Sequence, residues 1–244
     1  MYKVYLKAMV PLLVFAGIQG LGGVAVLVLG SDATTLSLAV MLSGLISAVI
    51  LWKMGMVRGQ AAYEGMPEGR TVIFGAVAAF SSILATDMLN ELVDLPDLMQ
   101  QQFMDMARGV WGIIAIGLVG PVVEELVFRE AILGHMLRNG VGRWSAVLVS
   151  ALLFGLVHGN PVQIPFACVV GVVFALIYCK TGNVLLTSAV HIINNTIAVV
   201  QMNLLGDQLN DIHFYDYIGK TAEVFVIACL FLICVVCLRR LMVK

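Results

Sequence analysis

Long apolar runs, separated by short polar segments, are the main pattern of the chain. Most of these runs approach or exceed the roughly 20 residues that an α-helix needs to cross the hydrocarbon core of a bilayer. The eight runs cover residues 8–30, 33–52, 71–89, 109–137, 144–158, 162–179, 184–204 and 221–238, of which the fourth is long and the fifth is short. No internal repeat or stretch typical of a soluble domain interrupts them. The pattern therefore predicts an all-α fold, a polytopic integral membrane protein of about eight transmembrane helices that forms one domain over residues 1–244.

Composition agrees with a membrane location, since 61% of the 244 residues are hydrophobic and only 12% are charged. A soluble domain carries about twice that charged fraction. The net charge of -1, with Lys and Arg spread between the runs, excludes a nucleic-acid-binding surface. The five cysteines lie in or beside apolar runs, so we expect them to pack as apolar residues without a disulfide framework.

The distribution of positive charge predicts the orientation of the chain in the membrane. If both termini are cytoplasmic, only two of the 14 Lys and Arg residues, Arg108 and Lys220, fall on the outer side. Both termini are therefore predicted to be cytoplasmic. The first run follows Lys3 and Lys7 as a secretory signal would, but it is too long for one and no small-residue cleavage site follows it. We expect it to remain as a helix.

The polar connection over residues 87–108 is acidic and lies outside in this orientation. Large apolar residues recur in it at every third or fourth position: Met88, Leu92, Leu95, Met99, Phe103 and Met106. Such spacing predicts a helix lying on the outer surface and interrupted at Pro96, with a packed loop as the alternative.

Two adjacent carboxylates, Glu124 and Glu125, lie within the long fourth run. Glu125 and Arg129 are four positions apart, which places them on one face of a helix and predicts an ion pair. Glu124 then points elsewhere without a counter-ion. An unpaired carboxylate in a low-dielectric bundle is costly, and such groups usually face a functional cavity. The alternative is a cytoplasmic helix end at which both acids are hydrated.

Two further runs carry polar side chains. His158 ends the short fifth run, where Gly159-Asn160-Pro161 must terminate the helix. His191 and Asn195 share one face of the seventh run, whereas Asn194 points about 100° away. Counting 1.5 Å per residue from the predicted cytoplasmic helix ends places these groups and Glu124 about 12 to 21 Å deep. Isolated buried polar residues would not converge in this way, so we expect a shared polar site that opens to the cytoplasm or sideways to lipid.

The same residues form three motifs, E-E-x-x-x-R at residues 124–129, F-x-x-x-H at 154–158 and H-x-x-x-N at 191–195. In this order the motifs resemble those of the CPBP family, the CAAX-protease and bacteriocin-processing (Abi) intramembrane proteases. The resemblance covers residues 109 to about 200, and we assign a catalytic core to 109–204. It implies a membrane endopeptidase of the bacterial cytoplasmic membrane that acts on a membrane-associated peptide or protein. The matching catalytic positions are Glu124, His158, His191 and Asn195.

Peptide hydrolysis needs an activated water and a stabilised oxyanion. Glu124 and His158 can hold and deprotonate the water, while the side chains of His191 and Asn195 can donate to the oxyanion. The pair Glu125 and Arg129 would fix the helix that carries Glu124.

A zinc-dependent mechanism is the open alternative. Glu124, His158 and His191 are a plausible three-ligand zinc set with a free fourth position. The sequence lacks H-E-x-x-H, however, and no second acid is free to act as the base. Zinc therefore remains an alternative cofactor.

Two other function classes share some of these features. A proton-coupled transporter also places acids, histidines and broken helices at the membrane midplane, although it commonly has internal repeats. A non-catalytic immunity or regulatory protein would keep the fold without using the site. Cleavage of a membrane peptide by the purified protein distinguishes both from a protease.

Overall fold

The computed structural model describes residues 2–59, 66–93 and 95–243, with the side chains of Asp207 and Asn210 excepted. The ends of the predicted domain, Met1 and Lys244, lie outside the described residues, as do residues 60–65 and 94. Helices dominate the part of the chain that is described, and this part contains no strand. The predicted all-α fold is therefore confirmed.

Besides a short 3₁₀ helix at Gly206–Asp211, ten helices are defined within these ranges. They are α1 (Tyr2–Leu29), α2 (Ala33–Lys53), α3 (Gly69–Val93), α4 (Gln100–Ala107), α5 (Val110–Arg138), α6 (Arg143–Val157), α7 (Ile164–Thr181), α8 (Leu185–Leu205), α9 (Phe214–Ile218) and α10 (Lys220–Met242). Seven of them are long and apolar enough to cross a membrane, whereas α6 is apolar but has only 15 residues. The eight predicted runs thus correspond to seven long helices and one short helix, and the polytopic membrane fold is confirmed. The orientation of the termini stays a prediction, as does the division into one domain with a catalytic core.

The connection before α5 differs from its predicted extent. Helix α3 continues to Val93, so Met88 and Leu92 belong to a long apolar helix and not to a surface helix. The chain is non-helical at residues 95–99, and α4 follows. Pro96 explains the break, because proline disfavours helical geometry in the residue before it and cannot donate a backbone hydrogen bond. The predicted surface helix is therefore present only as the short α4.

Helix α5 is the central helix of the bundle. It contacts α1, α2, α6 and α8, while α3 packs along α10 and α7 packs along α6. Its second half is fully enclosed, with Val127, Phe128, Ala131 and Ile132 all at 0% exposure. Polar groups on this helix are therefore held in fixed positions relative to α6 and α8.

Small residues allow α6 and α7 to approach closely. A side chain added at Gly155 would collide with the Sγ of Cys168, and one added at Gly171 would press against Ala151. Close packing of this kind, through glycine and alanine, is typical of helices in membranes. It fixes the short α6, and with it His158, against α7.

Helix α5 contains two π-helical segments, Ala115–Val119 and Leu126–Leu133, on either side of an α-helical turn at Gly120–Glu125. Pro121 lacks a backbone N–H, which accounts for part of the irregularity. Segments of π-helix occur frequently at functional sites because they change the direction of nearby side chains. Glu124 and Glu125 lie in the turn between these two segments.

Candidate functional site

The ion pair predicted between Glu125 and Arg129 is present and completely buried. The Nε of Arg129 lies 3.2 Å from Oε2 of Glu125, and both side chains have 0% exposure. The guanidinium also lies over the ring of Phe154, 4.5 Å from its centroid, and donates to the Oγ of Ser150 at 3.3 Å. A desolvated charge held by a carboxylate, an aromatic face and a hydroxyl is fixed in place. Phe154, the first residue of its motif, thus supports the arginine.

His191 joins the two adjacent glutamates. Its Nδ1 lies 3.4 Å from Oε1 of Glu125, and its Nε2 lies 3.8 Å from Oε2 of Glu124. The ring is enclosed by the edges or faces of Phe154 and Phe174, at centroid distances of 6.0 and 5.6 Å. Sequence analysis assigned only Arg129 as the partner of Glu125. The structure adds His191 as a second neighbour of that carboxylate.

Glu124 has a different environment from Glu125. Its side chain is 24% exposed, and its Oε2 has no hydrogen-bond partner among the described residues. It lies near the middle of α5, which is 29 residues long, and faces a cavity. The alternative of a hydrated cytoplasmic helix end is therefore wrong, because both acids lie far from either end of the helix.

His158 lies at the C-terminal end of α6. Its Nδ1 is 2.7 Å from the carbonyl oxygen of Phe154, so in the tautomer that donates this hydrogen bond the Nε2 carries a free lone pair. Gly159 follows with φ of +64°, a left-handed conformation that favours glycine and ends the helix. The break predicted at this point is present, and it leaves His158 on the wall of the cavity.

Asn195 is bound to α5 through a π-helical segment. Its Nδ2 donates to the carbonyl oxygen of Ile116 at 3.1 Å, and its Oδ1 accepts from the Nδ2 of Asn194 at 3.2 Å. Both asparagines line the cavity. Sequence analysis placed Asn194 on a different face and gave it no role. The cavity is wide enough to include side chains about 100° apart on α8, so Asn194 belongs to the site.

The cavity has a volume of about 820 Å³ and brings together Glu124, His158, His191 and Asn195, the four predicted catalytic positions. Most of its wall is apolar, from side chains such as Phe15. Among the described residues that line it, none is Lys or Arg. A carboxylate, two imidazoles and two amides therefore share one largely apolar chamber, which is the arrangement expected of a binding or catalytic site.

The cavity extends toward one end of the bundle. It passes Asp87 and Asn90 near the end of α3 and reaches the exposed side chains of Asp97 and Gln102. Charge distribution predicts that this end is the outer side, so a cytoplasmic opening and the predicted orientation are incompatible. The expectation of a cytoplasmic opening was based on the distance of each polar residue from the predicted cytoplasmic end of its helix. That distance does not show on which side of the polar residues the bundle leaves free space.

Asn160 fixes the segment at residues 95–99, which lines this end of the cavity. It has 0% exposure, its Nδ2 donates to Oδ1 of Asp97 at 2.8 Å, and its Oδ1 accepts from the backbone N–H of Leu98 at 3.1 Å. Sequence analysis read Asn160 only as part of a helix terminator. Leu98 and Asp97 are 62 and 63 residues away from Asn160 in the sequence, so no local pattern indicates these contacts.

The zinc alternative can be tested against the positions of its three predicted ligands. Carboxylate and imidazole are suitable donors, and Glu124 and His191 are neighbours. No group of three His, Cys, Asp or Glu side chains that could hold a metal ion is found in the described part of the chain. Glu124, His158 and His191 as arranged thus do not fit a three-ligand zinc site. Zinc dependence stays a prediction that metal analysis must test.

Part of the chain, including the polar residues of the cavity on α5, α6 and α8, is similar to known proteins. Residues 106–197 match the family described as type II CAAX prenyl endopeptidase Rce1-like. The chain is 30% identical to the putative membrane peptidase YdiL of Bacillus subtilis (strain 168) over 101 residues, and this stretch covers 41% of each of the two chains. It is 31% identical over 93 residues to the membrane-embedded CAAX protease MroQ of Staphylococcus aureus (strain USA300), which is 36% of this chain and 38% of that protein. No solved structure gives a significant match.

The chain thus spans about two fifths of the length of the curated relatives it matches. The matched segment contains all three motifs and α5, α6 and most of α8. Its relatives are bacterial membrane proteins, in agreement with the seven apolar helices. The resemblance predicted from the motifs is confirmed: residues 106–197 of this multi-pass bacterial membrane protein are similar to the Rce1-like type II CAAX prenyl endopeptidase family.

Proposed function

We propose that this protein is an intramembrane endopeptidase that hydrolyses a peptide bond of a membrane-associated peptide or protein. The observation that carries this proposal is the contrast at residues 124 and 125. Glu125 is completely buried and forms an ion pair with Arg129, whereas Glu124 is 24% exposed and faces the cavity. Ionisable groups inside a membrane that face a cavity usually serve a reaction or a transport step. Similarity to a peptidase family over residues 106–197 supports the first of these.

Water activation is assigned to Glu124 and His158. The carboxylate of Glu124 accepts one proton of the water as general base. The Nε2 of His158, left free by the hydrogen bond between Nδ1 and the Phe154 carbonyl, accepts a hydrogen bond from the other O–H of the water, which keeps its proton, and orients the oxygen toward the scissile carbonyl. After attack, protonated Glu124 returns its proton to the leaving amine. One carboxyl group thereby acts first as base and then as acid.

Oxyanion stabilisation is assigned to Asn195 and His191. The Nδ2 of Asn195 carries two hydrogens, of which one is donated to the Ile116 carbonyl and the other is free for the substrate. In its doubly protonated form, His191 would donate Nδ1–H to Glu125 and Nε2–H into the cavity. Donors fixed in advance by other hydrogen bonds need little reorganisation during the reaction, which is the basis of oxyanion stabilisation.

The shape of the cavity supports an apolar substrate. Its volume of about 820 Å³ and its largely apolar wall suit a hydrophobic peptide segment or a lipid-modified one. The family description names prenylated CAAX peptides, and the name of MroQ is that of a CAAX protease. We therefore place a prenylated C-terminal peptide first among substrates to test, with an unmodified membrane peptide second. Access is proposed from the end of the bundle that carries α4.

Cleavage by the purified full chain in detergent micelles tests this function. Both peptides are incubated in ¹⁸O-labelled water, and hydrolysis by the protein is expected to place one ¹⁸O in the new C-terminal carboxyl group. The control is Glu68→Gln, which alters an exposed glutamate outside the cavity and should leave the rate unchanged. Equal cleavage by wild type and Glu124→Gln would refute the assignment of Glu124. Peptide binding without cleavage would favour the non-catalytic alternative.

Metal dependence is tested on the same preparation. The proposal routes no step through a metal, because the described residues do not assemble a three-ligand group. A zinc enzyme would lose activity on chelation and lose bound zinc in His158→Ala, since ligands are needed to retain the ion. Asn195→Ala is the control, as an amide is a poor zinc ligand but a good oxyanion donor. Its rate should fall by about 10² to 10³ with the zinc content unchanged.

A further inference from the structure

A second cavity, of about 510 Å³, lies at the opposite end of the bundle from the candidate active site. It is formed by the start of α1, the segment after α2 and the end of α5. We call it the cationic pocket, because its ionisable lining residues are Lys7, Arg58, His135 and Arg138. Among the described residues that line it, none is Asp or Glu. Three permanent positive charges from distant parts of the sequence therefore share one concave surface.

These charges lack protein counter-ions in the described ranges. No carboxylate lies within ion-pair distance of Lys7, Arg58 or Arg138 there. Glu130 lies next to the pocket but is only 3% exposed. Its Oε1 accepts from the backbone N–H groups of Arg58 at 2.6 Å and Gly59 at 2.9 Å. Glu130 thus fixes the chain after α2, and the mutual repulsion of the three cations favours binding of an external anion.

Parts of the pocket are organised in advance. Arg58 is anchored through its backbone by Glu130, as described above. Gly134 leaves room for the side chain of Arg138, since a Cβ at that position would lie 2.7 Å from both the Nη1 of Arg138 and the hydroxyl of Tyr178. The Nε2 of His135 is buried and has no hydrogen-bond partner among the described residues. The backbone that carries Arg58 and the space that Arg138 occupies are thus set by the fold before a ligand binds.

We propose that the cationic pocket binds the anionic headgroup of a phospholipid. It lies at the ends of membrane-crossing helices, and charge distribution predicts that these ends are cytoplasmic. Its cations stand beside apolar lining residues such as Val10 and Met56. The adjoining α1 exposes Leu6 and Leu13, at 51% and 67%, on the surface that faces lipid. A ligand with a phosphate and an apolar body matches both parts, and basic pockets between helices commonly bind such headgroups.

Native mass spectrometry of the full chain tests the proposal. The protein is titrated in mixed micelles with phosphatidylglycerol or with phosphatidylcholine, and preferential retention of phosphatidylglycerol is expected. Near a membrane each cation strengthens binding of an anionic lipid about fivefold, so Lys7→Gln with Arg138→Gln should weaken retention about 30-fold. The matched control, Arg239→Gln with Arg240→Gln, removes two exposed charges at the end of α10, outside the pocket, and should change retention less than about twofold.

Three results would overturn the proposal. Equal retention of the two lipids by wild type would show that no anionic headgroup is selected. Equal losses in the two double variants would show general surface attraction. Displacement of phosphatidylglycerol by millimolar inorganic phosphate would show that a free anion, and not a lipid, occupies the site. If Lys7→Gln with Arg138→Gln does not fold, Arg58→Gln alone is used, with an expected loss of about fivefold.

Discussion

The two faces of helix α5 place identical side chains in opposite environments. On the face toward the protein core, Glu125 has 0% exposure and lies 3.2 Å from the Nε of Arg129. On the face toward the cavity, Glu124 is 24% exposed and its Oε2 has no hydrogen-bond partner among the described residues. A rotation of about 100° around one helix axis separates the two. Residue type alone therefore does not determine whether a carboxylate stabilises the fold or is available for chemistry.

The energetic consequences of the two environments differ in size. Breaking a buried ion pair leaves one charge in a low-dielectric interior without compensation, which is strongly destabilising. Glu124 is 24% exposed and its Oε2 lies 3.8 Å from the Nε2 of His191, so neutralising it leaves no completely buried charge without a partner and should cost little stability. Substitution at Glu125 should therefore act on stability, and substitution at Glu124 should act on activity.

The largest effect is expected on activity, from Glu124→Gln. Glutamine keeps the shape of the side chain but cannot accept a proton from water, so the cleavage rate should fall by about 10² to 10⁴. The thermal unfolding temperature should change little, because a partly exposed carboxylate is replaced by a neutral amide of nearly the same shape. Peptide cleavage and a thermal unfolding curve, recorded on the same preparation, measure both effects.

A loss of folding in Glu124→Gln would break the comparison, since it would mean that the contact of Glu124 with His191 stabilises the fold. Full activity of Glu124→Gln would also contradict the comparison, because Glu124 would then not be needed for catalysis. The exposed Glu68→Gln serves as the reference for the general effect of removing one negative charge.

The next largest effect is expected on stability, from Arg129→Ala. Loss of one partner from the buried pair should cost about 3 to 5 kcal/mol, seen as lower yield and a lower unfolding temperature. Glu125→Gln should act in the same direction. The double variant Glu125→Gln with Arg129→Gln removes both charges and should recover part of the loss, because neither partner is then left unpaired.

The outcome that separates structure from catalysis is the rate per folded molecule. If Glu125→Gln folds as well as wild type but does not cleave, Glu125 takes part in the reaction together with His191, 3.4 Å away. The division of roles between the two faces of α5 would then have to be withdrawn.

Features that depend on one segment were predictable from the sequence. The lengths of the apolar runs predicted the helices, and the spacing of four residues predicted the pair of Glu125 with Arg129. Gly159 and Pro161 predicted the end of α6. Each of these follows from local geometry or from the length needed to cross a bilayer.

Features that depend on how distant helices pack were not predictable. The second neighbour of Glu125, His191, lies on α8, and its approach is set by the rotation of that helix. The π-helical segments of α5 and the direction of the cavity likewise depend on the whole bundle. Asn194 was missed because a single helical face was assumed for the site, whereas the cavity wall spans more than one face. One available signal was the Asn194-Asn195 pair, two adjacent amides in an apolar run.

A smaller effect on stability is expected from Asn160, a buried uncharged side chain that holds the segment at residues 95–99. Asn160→Ala removes the hydrogen bonds to Asp97 and Leu98, and loss of such a buried group typically costs about 1 to 3 kcal/mol. The effect should be local, because these bonds hold the segment at 95–99. Hydrogen exchange of that segment should become faster, while exchange in α5 stays unchanged. The control Asn139→Ala alters an exposed asparagine at the other end of the bundle and should leave the exchange of residues 95–99 unchanged.

The smallest effect on stability is expected from Asp32. Its carboxylate accepts hydrogen bonds, but it is exposed to solvent. It caps α2 by accepting from the backbone N–H groups of Thr34 and Thr35 and from the Thr35 hydroxyl. The hydroxyl of Thr35, followed by the backbone donors, holds the pKa of Asp32 below its ordinary value. A lowered pKa in the folded state means that the stabilisation is present at neutral pH and is lost as the pH falls through the acidic pKa of the folded protein. Asp32→Ala should thus lower the unfolding temperature by no more than about a few °C at pH 7, and the difference from wild type should shrink as the solution is acidified. If Asp32→Ala lowered the unfolding temperature at pH 7 as much as Arg129→Ala does, burial would not explain why some carboxylates of this protein stabilise the fold more than others.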